Sequence, residues 1–226
     1  MVKKGNKGQL DCATSQTLPL QPTSRGSGKT ALAVGGDWIV QYNSTKDFYL
    51  QSIDAPLQEL SEKADLSPVS QLSTDGTNIC ATSSKSINCG PLRLQSGSQR
   101  DWIYSSSNIQ STAMAANSTA MYGLSKSNIL HVAKVDDIMS GKDHVYWNPV
   151  ARAPVFTSIA YDGKRVCGIK KAETVIACTT NDLATPLSPT WSQLPESDWT
   201  SLALSNNQIY AVNAAYAVKR IAAPTQ

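Results

Sequence analysis

Histidine occurs twice in the 226 residues, at positions 131 and 144, and charged side chains make up only 16% of the chain. No apolar run reaches 18 residues, so no segment reads as a membrane-spanning helix. The 20 basic and 17 acidic residues leave a net charge of +3 without a cluster of either sign. Phosphate recognition needs a basic stripe, so nucleic acid is not an expected partner. The start, Met1-Val-Lys-Lys-Gly-Asn-Lys-Gly8, is basic but lacks an apolar stretch behind it and does not read as a signal peptide. No Gly-x-Ser-x-Gly motif occurs, and Arg25-Gly-Ser-Gly-Lys-Thr30 lacks the opening glycine of a phosphate loop, Thr23 standing in its place. Acidic residues such as Asp37, Asp75, Asp162 and Glu196 fall in turns and connections, not in the paired arrangement of a glycosidase. The expectation is no enzyme, no metal and no cofactor.

Helical periodicity is scarce as well; the one candidate, Ala55 to Ala64, is short and has a proline at its second position. Runs of Ile, Val, Tyr, Trp and Thr bounded by Gly, Asn, Asp and Ser are abundant, and they predict an all-β protein. The runs recur. Around Ile39, Cys80, Tyr122, Cys167 and Tyr210 the intervals are 41, 42, 45 and 43 residues. Each landmark strand follows another, such as Phe156-Thr-Ser-Ile-Ala160 or Trp199-Thr-Ser-Leu-Ala203, across a turn rich in Gly, Asn and Asp, such as Tyr161-Asp-Gly-Lys164. Each precedes a third strand, such as Ile129-Leu-His-Val132 or Val175-Ile-Ala-Cys178, and a variable fourth stretch.

Four antiparallel strands every 40-odd residues predict the blades of a β-propeller, because a single sheet cannot bury both its faces alone. The period predicts five blades, with repeats near 28–67, 68–108, 109–154, 155–197 and 198–226. The last lacks a fourth strand. Residues 9–23 are expected to supply it and close the ring, since Cys12 to Pro22 reads like Cys178 to Pro189 with one residue deleted. That alignment also makes 9–12 a third strand, one more than the closure needs.

Four of the five cysteines fall in register, Cys80 with Cys89 and Cys167 with Cys178, each pair on the second and third strands of a repeat. Cysteines facing one another across a hairpin lie within disulfide reach, so two bridges and an oxidising, extracellular location are expected, with buried thiols as the alternative. Other repeats are expected to fill the same slot with Tyr122 and His131, Tyr210 and Lys219, and Ile39 and Tyr49. Cys12 is left over.

The stretch Trp191-Ser-Gln-Leu-Pro-Glu-Ser-Asp-Trp-Thr-Ser-Leu-Ala-Leu-Ser-Asn-Asn-Gln-Ile-Tyr-Ala-Val-Asn213 resembles the tectonin-type repeat of tachylectin-like propellers, and Phe156 to Lys170 follows the same pattern. The resemblance implies binding of glycans or glycoconjugates through several sites. Trp102, Trp147 and Trp191 recur at intervals of 45 and 44 residues and are the candidate ligand-binding residues; packing between blades is the alternative. Two functions are therefore carried forward: a non-catalytic, multivalent carbohydrate-binding protein (a lectin), and a secreted propeller scaffold that binds a protein partner. Assembly into a homo-oligomer is left open.

Overall fold

A computed structural model of the chain describes residues 2–4, 10–12, 23–24, 29–35, 38–43, 47–52, 60–63, 66, 69–83, 86–92, 102–106, 108–116, 118–141, 145–179, 189–205, 207–215 and 217–224. An N-terminal sheet holds β1 (Val2–Lys4), β2 (Leu10–Cys12) and β3 (Thr23–Ser24). Four four-stranded antiparallel blades follow. Blade 1 is β4 (Lys29–Gly35), β5 (Trp38–Asn43), β6 (Asp47–Ser52) and β7 (Leu60–Lys63); blade 2 is β8 (Gln71–Thr74), β9 (Asn78–Thr82), β10 (Ser86–Pro91) and β11 (Ile103–Ser106). Blade 3 is β12 (Ile109–Ala113), β13 (Ala120–Ser125), β14 (Leu130–Lys134) and β15 (Asn148–Pro149). Blade 4 is β16 (Phe156–Tyr161), β17 (Val166–Lys170), β18 (Ile176–Thr179) and β19 (Trp191–Gln193). A C-terminal sheet holds β20 (Trp199–Ser205), β21 (Gln208–Asn213) and β22 (Val218–Ala222). The first strands touch in chain order, β4 to β8, β8 to β12, β12 to β16 and β16 to β20, which is the inner wall of a β-propeller.

Local chemistry sets the hairpins. Gly76 and Gly163 take positive φ in the turns between first and second strands. Beside them the carboxylates of Asp75 and Asp162 accept the N–H groups of Asn78 and Arg165 at 2.6 and 2.8 Å. Side-chain alternation then turns each strand into a two-sided wedge. On β9, Ile79 and Ala81 join Val40, Tyr42, Phe48 and Leu50 in a cluster with blade 1. Cys80, between them, faces the other way with Ile87 and Cys89, toward Ile109 and Met121 of blade 3. On β17, Val166 meets Tyr122 and Leu124 of blade 3, while Cys167 and Ile169 meet Leu202 and Ile209 of the C-terminal sheet. The interior is thus a series of apolar layers between successive sheets, in which each fully buried Ile, Leu or Phe contributes about 1.5–3 kcal/mol.

Both expected bridges are present, Cys80–Cys89 and Cys167–Cys178, with Cα atoms 4.1 and 4.0 Å apart directly across the hairpins. The residues that fill this slot elsewhere differ from expectation. The pairs are Val40 with Leu50, Tyr122 with Val132 and Tyr210 with Arg220. His131 lies opposite Gly123 and Lys219 opposite Ala211, one position along, while Ile39 pairs with Gln51 and Tyr49 with Gln41, two positions from Ile39. The turns between second and third strands differ in length from blade to blade, and a slip of one residue moves a side chain to the other face.

Three further differences concern elements. Of the one helix candidate, at 55–64, Leu60–Lys63 is β7, the outer strand of blade 1, and residues 55–59 and 64 lie outside the described residues. A five-residue helix, α1 (Val135–Met139), was not expected; it carries Asp136 and Asp137 in its first turn and buries Val135 and Ile138. Residues 10–12 and 23–24, expected to complete the last sheet, pair instead with each other and, through Leu10–Cys12, with Val2–Lys4. The third-strand pattern around Cys12 accounts for this, since a third strand has neighbours on both sides. Among the described residues the C-terminal sheet keeps three strands, and its outer strand β22 exposes Lys219 and Arg220, charges that oppose pairing with a like edge.

Arg165 fastens this sheet to blade 4. Its side chain is buried and donates to the Pro224 carbonyl at 2.7 Å and to Asn207 Oδ1 at 2.8 Å, while its Nε lies 3.3 Å from Asp162 Oδ2 without a well-directed hydrogen bond. Gly168 leaves room for the fully buried Phe156 ring on the opposite face of the same blade; a Cβ there would lie 2.6 Å from the ring's Cγ. Gly168→Ala is therefore expected to destabilise the protein by about 1–3 kcal/mol through overpacking, read as a fall in the midpoint of chemical unfolding.

Candidate functional site

The three tryptophans stand at the same place in successive blades, just before or at the start of the outer strands β11, β15 and β19, and each meets a different apolar layer. Trp102 packs against the layer between blades 1 and 2, with its ring centroid 5.2 Å from that of Phe48. Trp147 packs against the layer between blades 2 and 3 and lies over Gly123, where a Cβ would come within 2.9 Å of its Cζ3. Trp191 packs against the layer between blades 3 and 4, 5.1 Å from the Phe156 ring. The structure does not bring the three together. All are half-buried, and the indole Nε1 atoms of Trp147 and Trp191 are buried without a hydrogen-bond partner among the described residues. Two exposed aromatic rings stand close by in sequence, and the spacing of the tryptophans did not single them out: Tyr104 on β11 and Tyr146 beside Trp147, which is 80% exposed.

A second region lies where successive blades are joined. In blade 3 the turn between β13 and β14 contains Asn128 at φ 63°, and in blade 4 the turn between β17 and β18 contains Thr174 at φ 52°. The carbonyl of Asn128 accepts the N–H of Phe156, and that of Thr174 accepts the N–H of Trp199, both at 3.1 Å. These bonds tie each turn to the first residue of the next inner strand. The residue just before that strand, Val155 or Asp198, is held in turn by the N–H of Lys171 or Ala214, at 2.9 and 3.1 Å.

The two joints share these backbone hydrogen bonds and differ in how their charges are paired. At the joint of blades 3 and 4, Ile129 and Val155 are 45% and 47% exposed, and three exposed cations lie on the same segments: Lys126 and Arg152, each three residues before one of them, and Lys171, whose N–H bonds the Val155 carbonyl. At the joint of blade 4 and the C-terminal sheet the positions carry Thr174, Asp198, Glu173 and Glu196. Glu196 accepts from Lys219 at 2.8 Å, and Glu173 accepts from Lys170 and, at 2.9 Å, from Gln193. The hydrogen bond from Lys170, with that from Gln193, holds the Glu173 carboxyl below the usual carboxylate range.

Of the two histidines, His131 has Nδ1 2.9 Å from the Ile129 carbonyl; His144 lies outside the described residues. Among the described residues no group of three or more His, Cys, Asp or Glu side chains is placed to hold a metal ion, and no helix is long and apolar enough to cross a membrane.

Removing a buried, unpartnered donor relieves a desolvation cost. Trp191→Phe is accordingly expected to change stability by about 1 kcal/mol or less, whereas Trp191→Ala should lose about 2–4 kcal/mol of packing. Thermal and urea unfolding of the two variants, side by side, measures the difference.

No protein-family model matches the chain, and no curated protein does. Solved structures do. A chain in a nidogen–laminin complex is similar with a TM-score of 0.66 at 10% identity, over 95% of this chain and 85% of that one. The Cps50 (Swd1) β-propeller domain of Myceliophteria thermophila gives 0.62 at 7% identity, over 93% and 88%. Hsv2 of Kluyveromyces lactis gives 0.61 at 11% identity, over 97% and 69%. At these identities the likeness is one of fold, and the fold is the β-propeller.

Proposed function

We propose that this chain is a non-catalytic, extracellular propeller that binds a protein partner through the end of the ring formed by the joints. The observation that carries this reading is the contrast between the two joints: the same backbone pattern holds exposed aliphatics and cations with no carboxylate partner among the described residues at one, and lysines paired with glutamates at the next. A surface that varies from blade to blade suits one asymmetric partner better than several copies of one small ligand. The two disulfides support an oxidising compartment. Structures with this fold include the nidogen–laminin complex chain and Prp20p of Saccharomyces cerevisiae, whose described binding concerns Gsp1p and histones.

A second reading, the multivalent lectin, draws on the three half-buried tryptophans in register and on the exposed Tyr104 and Tyr146, whose rings offer flat apolar faces for sugar C–H groups. Panning a random 12-residue peptide library against the immobilised chain, beside a glycan array, separates the two. The protein-binding reading expects enriched peptides and no glycan signal. Glycan binding competed by free monosaccharide, with no peptide enriched, would establish the lectin instead.

The same reading includes five repeats and the N-terminal sheet in a single ring. Ile39 and Gln41 on β5 point away from blade 2 yet are only 4% and 2% exposed, so that face of blade 1 is covered. The outward face of the C-terminal sheet is barer: Tyr210, Val212 and Val218 are half-buried, and Ala203 and Arg220 are exposed. We assign the cover on blade 1 to the N-terminal sheet. Deleting residues 1–24 should then lower the melting temperature by about 5 °C or more, as expected for a loss of a few kcal/mol in a chain of this size. An unchanged melting temperature would remove this segment from the ring.

A further inference from the structure

Building on the protein-binding reading, we infer that the joint of blades 3 and 4 is the docking surface itself, and that its partner is an acidic peptide segment carrying aliphatic side chains.

The apolar part comes first. Ile129 and Val155 are about half exposed. Backbone hydrogen bonds from Phe156 to Asn128 and from Lys171 to Val155 fix the segments that carry them side by side. Their exposure is therefore held by the joint and does not depend on a loose loop. Exposed aliphatics on rigid backbone lose little conformational entropy when they are covered.

The cations beside the apolar pair lack carboxylate partners among the described residues. Lys126 shares a turn with Ile129, Arg152 lies in the connection leading to Val155, and Lys171 donates its N–H to Val155. Among the described residues no carboxylate lies within 4 Å of any of these three cations, whereas Lys170 and Lys219 at the neighbouring joint are each paired with a glutamate. The side-chain amide of Asn128, turned so that its oxygen accepts from Lys171 Nζ at 3.3 Å, orients one of the cations without neutralising it. A partner with carboxylates around an aliphatic anchor matches both features. A nucleic acid would satisfy the cations alone and leave Ile129 and Val155 uncovered.

The test uses the whole chain and labelled synthetic 12-residue peptides, read by fluorescence anisotropy. One peptide repeats Glu-Glu-Leu, a second replaces Leu by Ser, a third replaces Glu by Lys, and a single-stranded oligothymidylate stands in for nucleic acid. The Glu/Leu peptide should bind best, about tenfold more tightly than the others, and should weaken about tenfold between 50 and 300 mM salt. Lys126→Glu, Arg152→Glu and Lys171→Glu combined should reduce its affinity at least about tenfold, and Ile129→Ser with Val155→Ser should reduce it without changing the salt dependence. Lys164→Glu, at a turn between first and second strands, should change nothing. Unfolding curves matching the unaltered chain show that each variant is folded. Equal binding of the oligothymidylate, or binding indifferent to the charge reversals and to the serine pair, overturns this surface. If peptides enriched from the random library still bind those variants, the protein-binding reading survives with its site elsewhere.

Discussion

A sheet that is apolar on both faces must be covered twice, and every other feature of this molecule answers to that need. Alternation along β9, β13 and β17 sends neighbouring side chains to opposite apolar layers, so no blade has a core of its own. Stability is shared between neighbours, as in other repeat architectures, and a defect in one layer is felt on both sides of it. The glycines at 123 and 168 follow from the same need. Ile109, Trp147 and Phe156 can lie flat against their own blades only where the strand beneath has no Cβ. Buried hydroxyls serve it too. Ser73 and Thr112 join the inner strands of blades 2 and 3 by a 2.7 Å hydrogen bond, so polar groups at the inner wall are satisfied across the layer.

Packing makes its least demand at the joints. The inner strands and the faces of the second and third strands are committed to the layers. The turns of the joints need only a residue that tolerates positive φ and a carbonyl for the next strand, which Asn128 and Thr174 supply equally. The side chains around them are free to differ, and they do. The tryptophans occupy a middle ground: committed to the layers through their rings, they leave only part of their surface to solvent.

The strands were legible in the sequence because each hairpin announces itself in short-range chemistry: Asp75-Gly76 and Asp162-Gly163 between alternating apolar runs. The disulfides were legible for the same reason, being local to one hairpin. The slot partners in the other blades were not, since register depends on turn length and a count of nine or eleven residues does not transfer between blades. Helix α1 is too short for periodicity to reveal. The tryptophan spacing was plain, but the layer each ring enters is decided by contacts such as Phe48 with Trp102, 54 positions apart in the chain. The surface at the joint of blades 3 and 4 was hidden because it is assembled from two turns and a connection. Ile129 and Val155 read simply as the ends of strands.

The position of the disulfides orders events during synthesis. Cys80 and Cys89 are sealed beneath blade 3, and Cys167 and Cys178 beneath the C-terminal sheet, all four without solvent exposure. Thiol–disulfide exchange needs direct contact between the exchanging sulfurs, so each bridge closes most readily while its hairpin is formed and the following sheet has yet to arrive. Emergence of the chain from its N-terminus provides that interval twice. Once the next sheet docks, exchange at either bond requires that sheet to move away, so the reducibility of each bridge reports on the opening of the layer that covers it.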